Sequence, residues 1–306
     1  FLSDLDALAS MGWCAIEHSY CCPTFTDEDQ IIIKEGRHAV VEQHLGVGQF
    51  VANDLSIHPG GERFCLITGP NMAGKSTYLR QNALIVILAQ MGSWVPAKEA
   101  TLGIVDRLYC RVGSADNLAR GESTFLVEMQ EAAHILNTAH RRSLVIVDEL
   151  GRGTSTQDGL AIAYAVMQAL IAVGSKTLFA THYHELAQTD TSGVQLLTLE
   201  VSESGGRIRF LKRLIEGIAN SSYGLNVARM AGIKREVLQT ARKFQKQHFA
   251  EYDLGSRQGD LFTQAGFDEF DGPSMNEGQE EALQRLSSFS VEHSSPIDAL
   301  LLIREL

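Results

Sequence analysis

The chain has 306 residues, 44% hydrophobic and 21% charged, with a formal net charge of −11, enough to build one large domain with appendages. Its most apolar stretch, Ala83 to Ala89, is far shorter than the about 20 residues a membrane-spanning helix needs, and no basic-then-apolar opening marks a secretory signal. Five irregularly spaced cysteines without a CxxC pair indicate neither a zinc motif nor a disulfide framework and read as reduced thiols of a cytoplasmic protein.

The charge is uneven. Residues 251–306 hold twelve acids and three arginines, while the remainder holds 25 acids and 23 bases. That near-neutral body lacks the basic stripe of an autonomous DNA binder, whose affinity comes largely from phosphate contacts. Contacts to DNA, if made, are expected from another part of a longer protein.

Residues 1–30 read as a short helix, with Leu2, Leu5, Leu8 and Ala9 at helical spacing, then a Cys-Cys-Pro connection. They look like the end of an upstream helical domain. From Ile31 to about Ala250, short apolar strands alternate with longer helices, the pattern of an α/β domain. Three runs are buried-strand candidates: Arg63–Thr68, Ser143–Val147 and Lys176–Ala180. A helix over about Ser76 to Met91 is apolar on nearly all sides and is expected to be buried. Another, over about Thr156 to Val173, has Ser155 and Asp158 spaced as a capping pair and Gly174 as a stop signal. Residues 222–247 read as helix, tight turn at Ala231-Gly232, then helix. A Gly, Asp, Ser, Gln and Pro-rich stretch, 251–278, signals a flexible linker. Within 279–306 the spacing of Ile297, Leu300, Leu301 and Ile303 suggests a small terminal helix.

Four stretches carry chemistry. Gly69-Pro70-Asn71-Met72-Ala73-Gly74-Lys75-Ser76 fits the phosphate-loop pattern GxxxxGK[ST] without a gap, between an apolar strand and a long helix. Inward-pointing backbone amides of such a loop, continuing to Thr77, hold phosphate oxygens. Lys75 brings a positive charge to the terminal phosphates of ATP, and Ser76 offers a hydroxyl to Mg²⁺. Next, the strand Leu144–Val147 ends in Asp148 and Glu149. Asp148 is placed to hold Mg²⁺ through water, and Glu149 to orient or deprotonate the attacking water.

The third stretch is Thr181-His182, at the end of the strand Lys176–Ala180. All three strands therefore deliver polar residues at their C-terminal ends, where open α/β sheets bind ligands. His182 can hydrogen-bond the terminal phosphate or the water; with His184 it lacks the HExxH spacing of a zinc site. The fourth is Gly121-Glu122-Ser123-Thr124-Phe125, opening a helix to about Ala139. Ser123 reads as a helix cap or as part of an anion site built on free helix amides.

These elements, in this order, resemble the MutS family of DNA mismatch-repair proteins, within the ATP-binding-cassette ATPases. The matching stretches are TGPNMAGKSTYLRQ (68–81), RVGSADNLARGESTFLVEMQEAAHIL (111–136), LVIVDELGRGTSTQDGLAIA (144–163) and LFATHYHEL (178–186). Flanking pieces at 35–43, 50–57 and 222–233 also match. The resemblance implies an α/β P-loop ATPase, binding ATP or ADP with Mg²⁺, that switches the DNA-bound state of its parent. It implies a homodimer in which Ser123 acts in trans, as a cap that also faces the partner's γ-phosphate. It implies that Phe50 stacks on adenine, while Lys212 departs from the aromatic or histidine common on the other face. Ala73 replaces a frequent loop glycine at a free position of the motif. The helix–turn–helix at 222–247 is, in the family, a dimer contact.

The same resemblance implies mismatched DNA held by N-terminal domains that this chain lacks, and a MutL-type repair partner. Gln258-Gly259-Asp260-Leu261-Phe262 looks like a short sliding-clamp motif, and 279–306 like the helices that form higher oligomers. A competing reading from another class is a nucleotide-gated dimerisation scaffold with little hydrolysis of its own; the intact Glu149 favours the ATPase.

Overall fold

A computed structural model describes residues 1–46, 48–70, 72–113, 123–189, 192–204, 207–219 and 223–248. Asn71, the expected linker 251–278, the clamp-like Gln258–Phe262 and the segment 279–306 lie outside the described residues. By compactness the chain divides into Phe1–Gln239 and Thr240–Leu306; the description below concerns the first. Of the second, the described residues form the end of one helix, Arg235–His248.

Two sheets are present. The smaller has the order β1 (Thr24–Thr26), β5 (Glu99–Gly103), β2 (Ile31–Gly36), β3 (Asn53–Ile57). The larger runs β10 (Arg207–Glu216), β9 (Val194–Ser204), β4 (Phe64–Thr68), β8 (Lys176–Ala180), β7 (Leu144–Asp148), β6 (Leu108–Arg111). Its strands β9, β4, β8, β7 and β6 are parallel, and β10 folds back antiparallel on β9.

Strands β4, β7 and β8 fall on the three apolar runs, and every residue in them is buried. Their continuous hydrophobicity has a direct cause, because both faces of the larger sheet are covered. On one face Cys65, Ile67, Leu144, Ile146, Leu178 and Ala180 meet α2 (Lys75–Gln90) and the Ile31, Ile33, Leu55 and Ile57 side of the smaller sheet. On the other, Phe64, Leu66, Val145, Val147 and Phe179 meet α3 (Thr124–Thr138) and α4 (Thr156–Val173). Each such large side chain contributes roughly 1.5–3 kcal/mol by leaving water.

Helix α2 is less enclosed than its composition suggests. Its Tyr78, Leu79, Ala83, Ile85, Val86 and Ala89 are buried, yet Ile87 is 47% exposed. Packing on one sheet face covers only part of a helix circumference. Helix α4 starts where Ser155 Oγ accepts from the Asp158 N–H and donates to its carboxylate, and stops at Gly174 with φ 71°. It is long and apolar enough by composition to cross a membrane, but its Ala163, Val166, Met167 and Leu170 pack on the sheet. Helix α5 (Gly224–Met230) ends in the expected turn, with Gly232 at φ 87°, before α6 (Arg235–His248).

Helix α1 (Leu2–Glu17) buries only Ala15, and Leu2, Leu5, Leu8, Trp13 and Ile16 stay exposed. Periodicity locates this helix but does not show the long β9–β10 hairpin or the smaller sheet. In the hairpin, Leu211–Arg213 of β10 bulge out against Glu200 of β9.

Candidate functional site

Because β4, β8 and β7 are adjacent and parallel, their C-terminal ends deliver the Gly69 loop, Thr181-His182 and Asp148-Glu149 to one edge of the sheet. The loop backbone turns through left-handed positions at Gly69 (φ 136°), Met72 (φ 69°) and Gly74 (φ 115°). From Met72 to Lys75 left- and right-handed residues alternate, the kind of backbone that forms an anion nest. Ala73 is fully buried and is not among the left-handed residues, so its methyl group meets no backbone penalty there. Pro70 is also buried, and Ser76 and Thr77 are half-buried at the start of α2.

Lys75 is 4% exposed and folds back on its own loop, donating to the carbonyls of Gly69 (2.6 Å) and Pro70 (3.2 Å). Burial pushes its amine pKa down, while the Glu149 and Asp148 carboxylates push it back up. The cation is thus held by its own loop and faces two acids. Burial raises the Asp148 carboxyl, and the Ser76 hydroxyl, as a hydrogen-bond donor, pulls it down. Asp148 Oδ1 is buried with no hydrogen-bond partner. An orphaned carboxylate oxygen beside a hydroxyl is a fitting donor set for a hard cation such as Mg²⁺.

Glu149 adopts φ 57°, a left-handed backbone rare outside glycine, and its N–H donates to the Ala180 carbonyl. Strain of this kind persists where surrounding structure enforces it, commonly at functional sites. Its carboxylate pairs with Arg152 at 2.5 Å. The chain after it is packed tightly: a Cβ on Gly151 or Gly159 would collide with the other's backbone, and Tyr183 Oη donates to the Gly151 carbonyl. His182 stacks against Tyr183 with centroids 4.0 Å apart, and burial lowers its pKa. Its Nδ1 is buried without a partner, so a neutral imidazole faces the same edge as Lys75 and Glu149.

Phe50 lies away from the carboxylates. It lines a cavity of about 140 Å³ with Met72, Gly74, Thr77 and Lys212. A second cavity, about 400 Å³, is bounded by Arg80, Arg111, Glu128, Asp148, Glu149 and Arg152. The two differ in character, the first carrying an aromatic ring beside residues of the Gly69 loop and the second mainly charged groups.

Ser123 occupies the N-cap position of α3, but its hydroxyl makes no capping hydrogen bond and the residue is exposed. The capping hydrogen bond included in the expectation for Ser123 is therefore not formed: helix position alone did not dictate rotamer or partner. Of the expected residues, the structure gathers Gly69, Pro70, Lys75, Ser76, Asp148, Glu149 and His182 at one sheet edge. Met72, Gly74 and Thr77 join Phe50 at the neighbouring cavity, while Ser123 sits outside both. Sequence reasoning missed Arg152, Glu128, Arg111 and Asn53. Arg152 had a signal, an opposite charge three residues after Glu149; the others are joined only by the fold.

These features define a class: an α/β protein with a candidate phosphate-binding loop faced by a carboxylate pair. The family model for MutS domain V matches residues 65–248. Along 309 aligned residues the chain is 45% identical to the DNA mismatch repair protein MutS of Caldicellulosiruptor saccharolyticus, covering 99% of this chain and 36% of that protein. It is 54% identical over 251 residues to the MutS of Treponema pallidum, covering 80% of this chain and 28% of the other. The chain belongs to the MutS family of DNA mismatch-repair proteins. It spans about a third of the length of these relatives.

Proposed function

We propose that this chain is the ATP-binding and ATP-hydrolysing region of a mismatch-repair protein. The observation that carries the reading is the caged Lys75 amine, bound to its own loop carbonyls and facing Asp148 and Glu149. Such an amine is released when phosphate oxygens replace the carbonyls as its partners.

In this reading the base enters beside Phe50 and the triphosphate lies along Gly69–Thr77. Ser76 and Asp148 would hold Mg²⁺, which supplies neutralisation of the phosphate oxygens when bound with the nucleotide. Glu149, freed from Arg152, orients a water and accepts its proton as the oxygen attacks the γ-phosphorus. The bond to the β-phosphate oxygen breaks, leaving ADP and inorganic phosphate. His182, neutral because of its burial, donates one hydrogen bond at the γ-phosphate edge. Exposed Ser123, uncommitted to its own helix end, supports a composite site in which it meets the partner subunit's nucleotide.

Hydrolysis would switch the parent protein's hold on mismatched DNA, which segments outside this chain contact. A MutL-type partner, a sliding clamp at Gln258–Phe262 and a higher oligomer through 279–306 belong to the same reading, as does action in the cytoplasm. The exposed apolar stripe of α1 suits packing against the remainder of the parent.

The test is phosphate release by the wild-type chain and by Glu149→Gln. Hydrolysis should fall by about 10²–10⁴, the usual contribution of a positioned acid–base group, while ATP binding is retained. Equal turnover in both proteins would remove Glu149 from the reaction, and absence of ATP binding by the wild type would overturn the reading.

A further inference from the structure

Asn53 opens β3 and is 8% exposed. A buried primary amide must satisfy two N–H bonds and a carbonyl. Here Nδ2 donates to the carbonyls of Val51 (3.2 Å) and Lys212 (2.9 Å), while Oδ1 accepts from the Leu214 N–H (2.6 Å). One side chain therefore grips two distant segments that line the same cavity. Val51 directly follows Phe50, and Lys212 lies in the bulge of β10.

The bulge needs such a grip. Leu211, Lys212 and Arg213 have left the ladder register, and Lys212 sits at φ 57°, where a non-glycine residue is strained. All three residues are exposed, so no burial of their side chains holds them in place. The Asn53 amide bonds on both sides of the strained residue, at the Lys212 carbonyl and the Leu214 N–H. It thereby ties the half-buried Val51 backbone to the β10 bulge across the cavity.

We propose that Asn53 is a positioning residue for the base of the bound nucleotide, holding the Phe50–Val51 chain and the Lys212 bulge at a set separation. This rests on the nucleotide reading above and adds to it. The two walls are far apart in sequence, so without the amide the bulge would lose its side-chain tie to the Phe50 wall and a planar base its fitted slot. The phosphate loop would be untouched, because no Asn53 hydrogen bond reaches it.

The experiment measures binding of ATP, ADP and inorganic tripolyphosphate to the 306-residue chain and to Asn53→Asp and Asn53→Ser. The aspartate keeps the acceptor for Leu214 but sets a carboxylate against two carbonyls; the serine shortens the reach. The expected result is a rise of about tenfold in the dissociation constants of ATP and ADP together, the size of one or two lost hydrogen bonds. Tripolyphosphate affinity should stay within about twofold of wild type. Unchanged ATP affinity in both variants would overturn the proposal. So would equal losses for ATP and tripolyphosphate in both, since Asn53 would then support the whole fold. Failure of the wild-type chain to bind ATP would instead bring down the functional reading itself, a result visible before any variant is compared.

Discussion

The Glu128 carboxylate, one turn into α3, accepts a hydrogen bond at 2.8 Å from the backbone N–H of Gly151, two residues beyond Glu149. Glu128 is 3% exposed and also pairs with buried Arg111 at the end of β6 (3.4 Å), which in turn pairs with Glu131. Beside it, the Phe125 side chain lies so close to Gly153 that a Cβ there would sit 2.8 Å away. The helix that begins at Ser123 is thus fastened directly to the segment that carries the candidate catalytic carboxylate.

Removing that fastening has a defined cost. Glu128→Ala strips Arg111 of its buried partner and leaves the Gly151 N–H unsatisfied. Breaking a buried pair from one side costs about 3–5 kcal/mol, and the remaining Glu131 places this case near the lower end. Glu128→Gln keeps an acceptor for Gly151 and should cost less. Urea unfolding of both variants measures the difference, and equal losses would show that the Gly151 bond contributes nothing.

Phe50→Ala should weaken ATP and ADP equally, because stacking acts on the base. An aromatic stack is worth roughly 1–3 kcal/mol, so titration should show about a five- to hundredfold loss. Retained affinity with a sharply lower melting temperature would make Phe50 a core residue only.

Ser123→Ala should cost less stability than the about 1 kcal/mol of a lost cap, since the hydroxyl caps nothing in this structure. Turnover should nevertheless fall by about 10²-fold, as when one preorganised donor leaves a transition state. Mixing inactive Ser123→Ala and Lys75→Ala chains should restore up to about a quarter of wild-type activity per subunit, because random pairing leaves one intact composite site in each mixed dimer. No recovery from demonstrated mixed dimers would exclude independent firing of sites completed in trans by Ser123.

Acidification should destabilise the nucleotide-free chain. Burial lowers the pKa of His38, His182 and His184 from the ordinary 6.5. The unfolded chain takes these protons at the ordinary value and the folded chain only at lower pH. Their stabilising effect is therefore complete above pH 6.5 and is lost as pH falls through 6.5 toward the folded values. Asp148, raised by burial, works in the opposite sense, its contribution growing as pH falls through its folded pKa toward the ordinary 3.8. Urea midpoints at pH 7.5 and 5.5 should show the loss, and His182→Asn with His184→Asn should flatten it. An unchanged slope in the double variant would clear these two rings.

Local chemistry made much of this protein legible without coordinates. Strands β4, β7 and β8 announce themselves because sheets covered on both faces demand unbroken apolar runs, and α4 because its cap and stop are written within a few residues of each end. The Gly69–Thr77 loop and the Asp148-Glu149 pair are contiguous, so their character survives in one dimension. Only the tertiary structure decided what depends on distant partners. It freed the Ser123 hydroxyl from its own helix, left one side of α2 exposed at Ile87, and set Glu128 under Gly151. It also brought Asn53 to Lys212, 159 residues away, through a bulge that no local pattern marks. Sequence period reports which face a residue is on; which group waits on the other side is set by strand order and register, and these are properties of the whole fold.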